Sequence, residues 1–320
     1  KMASTDNTGT AVTGGYILKI DKSAGDNDIV GWDADAIYTA DLGFRSLYDP
    51  SYNKISYPPY GIKKGAETYF MYEYPKFDAI SADQKKYLQS YIGELEEVLL
   101  SSSFSHPTNG YSKYIDEQSF IDFLILNEFA TNPDGYRLST FMSKDRQGKL
   151  KMGPIWDFNL TYGNDLFLWG YDRSKTNIWQ FSNGDNEGAK FWTDLFNNPL
   201  YKCYFAKRWN QLTQTGQPLN YSSLVQFIDA TLSYISEAKV REHQKWGTVT
   251  NQDTEITNLK TFLSNRISWI TTNLGSYSGC NSVVVPALVI NKINYNPIIS
   301  DGFPANDLEF IEIKNTGATT

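Results

Sequence analysis

Two aspartates carry the clearest chemical potential in this chain. Asp134 sits in Asn132-Pro133-Asp134-Gly135, and Asp157 in Gly153-Pro154-Ile155-Trp156-Asp157-Phe158-Asn159. A carboxylate can take a proton from a hydroxyl, or serve as a hard oxygen ligand for a divalent cation. Two can also share acid and base roles in glycoside cleavage when they lie about 5–9.5 Å apart. Magnesium needs few protein carboxylates when phosphates and water complete its shell, so two Asp and the amide of Asn159 suffice. Asp165 offers one more oxygen a turn later. Each residue also has a plainer reading. Asn-Pro-Asp-Gly is turn chemistry, and Asp157 can cap a loop or pair with a lysine.

The elements around them decide whether the two carboxylates can cooperate. The sequence predicts strands over 139–144 and 149–155, with Asp145-Arg146-Gln147-Gly148 as the turn. A hairpin returns the chain to its start, so residues far apart in sequence can meet. Upstream, 117–131 reads as a helix capped by Asp116 and apolar nearly all round, hence buried. It ends just before Asp134, and a rigid element delivering a carboxylate is what a site requires. Glu128, near the end of that helix, calls for a cationic partner, and Arg137 is the nearest candidate.

Further helices are expected over 82–101, 199–213, 221–245 and 253–274. Ser81 with Gln84 forms a capping box for the first, and Gly275 stops the last. Tyr87, Leu88, Tyr91, Ile92, Leu95 and Leu99 make one apolar face on the first. The first 60 residues read as loop-rich, with a strand over 15–20; 67–74 is another. Residues 165–200 read as irregular, with Trp169, Tyr171, Trp179 and Phe181 able to line a cleft.

Composition narrows the classes. A formal net charge of −7 argues against a general nucleic-acid or anionic-membrane binder. No apolar run reaches membrane-spanning length. The 22 Tyr, 18 Phe and 8 Trp are first of all core material, although such aromatic density also suits carbohydrate-facing proteins. Cys203 and Cys280 can form a single bridge in an oxidising compartment, or stay as buried thiols. Two histidines make a His-based metal site a poor expectation. The acidic stretch 26–35 fails as an EF-hand, with Val30 at the fifth place and Ile37 where the bidentate Glu belongs.

Four short runs carry a family resemblance: L-N-E-F (126–129), N-P-D-G-Y-R (132–137), G-P-I-W-D-F-N-L (153–160) and Y-G-N (162–164). They resemble the kinase domain of the spore-coat protein H (CotH) type, an atypical secreted kinase-like family. Weaker similarity runs from G-G-Y-I-L (14–18) through Y-F-M-Y-E-Y-P (69–75) to about Leu274. The resemblance implies an α+β, atypical protein-kinase-like fold over residues 1–278. Most of this would be the helical C-terminal lobe, with the nucleotide-covering part lying upstream. It implies ATP and Mg²⁺ (or Mn²⁺) as cofactors and phosphoryl transfer to a protein Ser or Thr. Asp134 would orient or deprotonate the acceptor hydroxyl, and Asp157 with Asn159 would hold the metal. Trp156 would pack beneath the site or contact the nucleotide, and Arg137 would steady the carboxylates or a phosphate. The setting would be bacterial, extracellular or at the cell surface.

The chain also departs from the kinase pattern. It shows no Gly-rich loop and no persuasive phosphate lysine; Lys19, Lys63 and Lys64 have no specific warrant. Ser139 stands five residues after Asp134, where kinases place an Asn that binds the second magnesium. Lys151 stands where an aromatic would stack on adenine. These departures support an alternative: a catalytically inactive surface protein that binds a glycan or a protein partner through 165–181. They also imply that this stretch alone is inactive. After a linker over 276–284, I-N-Y-N-P (293–297) and E-F-I-E-I-K-N-T-G (309–317) resemble the opening of a lamin-tail domain. Residues 285–320 would then be a truncated immunoglobulin-like β module.

Overall fold

Five strands, β1 (Tyr16–Ile20), β2 (Gly43–Arg45), β3 (Tyr69–Tyr74), β4 (Thr140–Lys144) and β5 (Leu150–Met152), pair antiparallel in the order β2-β3-β1-β4-β5. The computed structural model describes residues 3–21, 39–49, 53–57, 67–164, 175–182, 188–275, 288–295, 297–298, 302 and 304–316. The acidic stretch 26–35, Asp165, Trp169, Tyr171, Cys280 and the 276–284 linker lie outside them. The chain divides into two compact units, residues 1–276 and 277–320.

The first unit sets the sheet against helices α1 (Ala82–Leu99), α2 (Glu117–Ala130), α3 (Phe191–Asn197), α4 (Pro199–Thr213), α5 (Tyr221–Tyr234), α6 (Ser236–Lys245) and α7 (Gln252–Gly275). The expected hairpin forms as β4–β5, with Met142 opposite Met152 and Lys144 opposite Leu150. It does not stand alone, because β1 pairs along the whole of β4 from Tyr16–Lys144 to Ile20–Thr140. Tyr16, Leu18 and Ile20 alternate inward along β1, so the register buries one face. The capping box of α1 is present in full, with Gln84 N donating to Ser81 Oγ and Ser81 N to Gln84 Oε1.

Three elements differ from expectation. The single helix expected over 221–245 is two, broken at Ile235 (φ −93, ψ 13). β2 spans only three residues, too short for an alternation to show. Within 165–200, α3 buries Phe191, Trp192, Leu195 and Phe196, a helical period masked in sequence by the Asn-Asn-Pro that follows. Trp179 and Phe181 correct the cleft expectation for their part of the aromatic stretch. Trp179 lies 4.7 Å from Phe196 and 4.8 Å from Trp269, ring centre to ring centre, and Phe181 lies 4.6 Å from Phe196. These rings pack inward. The fully buried Trp192 ring stacks on Phe123 and also contacts Phe120 and Tyr136, fastening α3 to α2.

The second unit holds β6 (Leu288–Asn294) and β7 (Phe310–Asn315), an antiparallel pair whose side chains are exposed. Among the described residues no helix is long and apolar enough to cross a membrane.

Candidate functional site

The end of α2 is built to hold Asp134. The helix buries Phe120, Ile121, Phe123, Leu124, Ile125 and Phe129, and with them the amide of Asn127. Asn127 Nδ2 donates to Phe123 O, and its Oδ1 accepts from Asn132 Nδ2 at 2.9 Å. Asn132 Oδ1 in turn accepts the Asp134 backbone N–H at 3.1 Å. Two buried amides thus lead from the helix core to the Asp134 backbone. Gly135 follows because a Cβ there would meet Asn127 Oδ1 at 2.5 Å. The turn closes through Gly135 N to Asn132 O and Leu138 N to Asp134 O.

The hairpin then leads to the second carboxylate. After Gly153–Pro154 the chain is irregular, and Asp157 adopts a left-handed φ of 62°. Ser139 Oγ donates to Asp157 Oδ2 at 3.2 Å, joining the segment after Asp134 to the Trp-Asp-Phe-Asn run. Thr131, Tyr136, Ser139, Asp157 and Tyr162 all have φ between 46° and 75°. Left-handed backbone at non-glycine residues costs roughly 1–3 kcal/mol each and persists only where surrounding contacts over-determine it. Those contacts are visible: Tyr162 N donates to Ala130 O, Thr161 Oγ1 to Phe158 O, and Asn164 Nδ2 to Asn159 O at 2.8 Å.

Asp157 and Asn159 are exposed, whereas Asp134 and Arg137 are half-buried. Trp156 is 62 % exposed, so it does not pack beneath the site; its indole stands at the surface, where a ligand can meet it. Among the described residues no three His, Cys, Asp or Glu side chains gather to hold a metal. The donor chemistry nevertheless fits a magnesium ion completed by phosphates and water: an exposed carboxylate with one oxygen engaged by a hydroxyl, and an exposed amide two residues on.

Glu128 corrects another expectation, because its cationic partner is Arg266 of α7, not Arg137. Arg266 Nη2 lies 3.2 Å from Glu128 Oε2, and both side chains are fully buried. Tyr136 Oη, Gln180 N and Phe181 N also donate to the same carboxylate, at 2.7, 2.7 and 3.0 Å. Burial raises the Glu128 pKa, and Arg266 and the other donors oppose it. Arg266, Tyr136 and the two backbone N–H groups all donate to it, which favours the ionised form against that burial. Burial, together with Glu128, also pushes the Tyr136 hydroxyl well above its ordinary range. Sequence reasoning missed Asn127, Asn132, Tyr136 and Arg266 as positioning residues. The available signals were an Asn in an otherwise apolar helix and an Arg between Leu263 and Ile267 on an apolar face.

Residues 19–270 match the family model described as CotH kinase protein. The chain belongs to the CotH kinase family. No curated protein matches it. The CotH match spans β2–β5 and α1–α6, along with the end of β1 and most of α7. It therefore takes in both aspartates and the Glu128–Arg266 pair. Cys203, also within it, is buried and disulfide-bonded. Cys280, the other cysteine of the sequence, lies outside the described residues.

Proposed function

We propose that this CotH-family chain contributes the acceptor and metal half of a phosphoryl-transfer site, moving the γ-phosphoryl of ATP to a protein Ser or Thr hydroxyl. The observation that carries this reading is the Ser139–Asp157 hydrogen bond, which ties the loop following Asp134 to the Trp-Asp-Phe-Asn run. Asp134, held by the Asn127–Asn132 relay, orients the acceptor hydroxyl and accepts its proton. Asp157 and Asn159 supply oxygens to Mg²⁺ or Mn²⁺, which when bound would neutralise phosphate charge. Trp156 offers an exposed ring to the nucleotide, and Arg137 steadies a phosphate. Holding these groups in fixed geometry is most of what such catalysis asks of a protein.

The setting we infer is extracellular or at the cell surface of a bacterium, supported by the disulfide at Cys203. Residues 285–320 read as the opening of a lamin-tail-like module, supported by the antiparallel β6–β7 pair.

One observation favours a second reading, a catalytically silent surface protein that binds a glycan or a protein. Ser139 spends its hydroxyl proton on Asp157 instead of offering a metal the amide oxygen that kinases place there. Isothermal titration of ATP with Mg²⁺ into the chain and into Asp157→Ala separates the two. Binding lost in the variant supports the transfer site; a glycan that perturbs Trp fluorescence where ATP with Mg²⁺ does not supports the silent reading.

A further inference from the structure

Next to Asp157 the 158–164 segment and the first half of α7 enclose a cleft of about 560 Å³. That size falls within the ~300–1,000 Å³ of small-ligand sites. Its apolar wall is Phe158, Tyr162, Leu259 and Phe262. Its polar side chains include the amides of Asn159, Asn164 and Asn258 and the carboxylate of Glu255, while the Thr161 hydroxyl is engaged by Phe158 O. Among the described residues no Lys or Arg lines it.

We propose that this cleft binds a neutral saccharide. Side-chain amides donate and accept at once, which matches paired sugar hydroxyls, and a carboxylate accepts from a further hydroxyl. Aromatic and aliphatic walls suit the C–H faces of a pyranose ring. An anionic ligand is disfavoured, since Glu255 and a net charge of −7 repel it and no lining cation attracts it. An extended peptide would use a sheet edge for main-chain pairing. The edges of the five-stranded sheet are β2 and β5, and neither contributes to the cleft.

The walls are fixed in place. Tyr162 is tied by its N–H to Ala130 O, and its ring meets Phe129 and Phe262 edge-on at 5.8 and 6.2 Å. Asn164 is tied to Asn159 O. A preorganised wall lowers the ordering cost of binding. The inference gives the glycan-binding reading a site and a ligand class, and it does not depend on phosphoryl transfer, because the cleft can hold sugar with no nucleotide present.

The test is calorimetric titration of the full chain, without nucleotide, using neutral tetrasaccharides of glucose, xylose or mannose. The Asn258→Ala/Glu255→Gln double variant is titrated in parallel. Both residues are exposed on α7, so the variant should melt with the parent. Saturable binding of at least one sugar, weakened about tenfold or more in the double variant, is expected. Binding of no sugar, or binding unchanged in the double variant, overturns the proposal. So does an oligolysine peptide that binds through Glu255 where sugars do not. Asp157→Ala should leave sugar binding intact, so failure of the ATP experiment and failure here are separate outcomes.

Discussion

Arg266→Met is the sharpest test of how the fold supports the site. The guanidinium makes four contacts: Nε to Glu128 O at 2.7 Å and Nη2 to Glu128 Oε2 at 3.2 Å, both buried, and Nη1 to Thr176 O at 2.8 Å and to Ile178 O at 2.7 Å, both part-buried. Methionine keeps much of the volume but removes the charge and every donor. Glu128 then stays buried, facing Tyr136 and two backbone N–H groups with no counter-charge, so it either keeps an uncompensated charge or takes up a proton at a cost. Breaking such a pair from one side costs about 3–5 kcal/mol. The orphaned carbonyls push the loss toward the upper end. Against a total stability of roughly 5–15 kcal/mol, that is a large fraction. The double variant Glu128→Gln/Arg266→Met removes both charges, so its loss should fall short of the two single losses combined by about 1–3 kcal/mol. Urea unfolding of the four proteins at one pH, with slopes compared to exclude changes in the unfolded state, measures this coupling. If Arg266→Met costs under about 1 kcal/mol, or the two single effects simply add, the pair is not the clamp described here.

Glu96 is buried on α1, accepts from Ser46 Oγ and from Leu47 N, and faces Lys190 and Asp194. Burial raises its pKa to about 7. The folded state therefore holds this proton more tightly than the unfolded chain. Stability should fall as pH rises from about 5 through about 7, by up to about 3 kcal/mol, and Glu96→Gln should flatten that slope; equal slopes in urea titrations across pH 5–8 would contradict the assignment. Gly135→Ala places a methyl 2.5 Å from Asn127 Oδ1 and should cost about 1–3 kcal/mol, read as a lowered melting temperature. Ser139→Ala removes the hydrogen bond to Asp157 and should weaken ATP–Mg²⁺ binding by about fivefold with little change in melting, checked by calorimetry of both proteins. Trp192→Ala empties the contact between α2 and α3 and should cost about 3–5 kcal/mol in urea unfolding.

Much of the frame was legible because its causes are local. The box at Ser81 and Gln84, the Asp116 cap, the Pro199 start of α4 and the Asp145–Gly148 turn each depend on residues a few positions apart. Period and capping therefore located α1, α2, α4 and α7, and the hairpin that returns the chain toward Asp134. What sequence alone left undetermined were the partners made across distance. Glu128 has Arg137 close in sequence, yet its ion pair is with Arg266, because α7 crosses the end of α2 in the folded chain. Trp179 and Phe181 read as cleft residues, yet pack on Phe196 and Trp269, because α3 closes over them. The roles of Asn127 and Asn132 depend on a relay that exists only once the left-handed cap at Thr131 has folded the turn back on the helix. Sequence by itself determined α1, α2, α4 and α7, the hairpin and the two aspartates as a pattern. Tertiary structure decided which charge each buried carboxylate meets and which hydroxyl holds Asp157. Short-range hydrogen bonds and periodicity are written in neighbouring residues, whereas burial and pairing depend on which elements the whole core brings together.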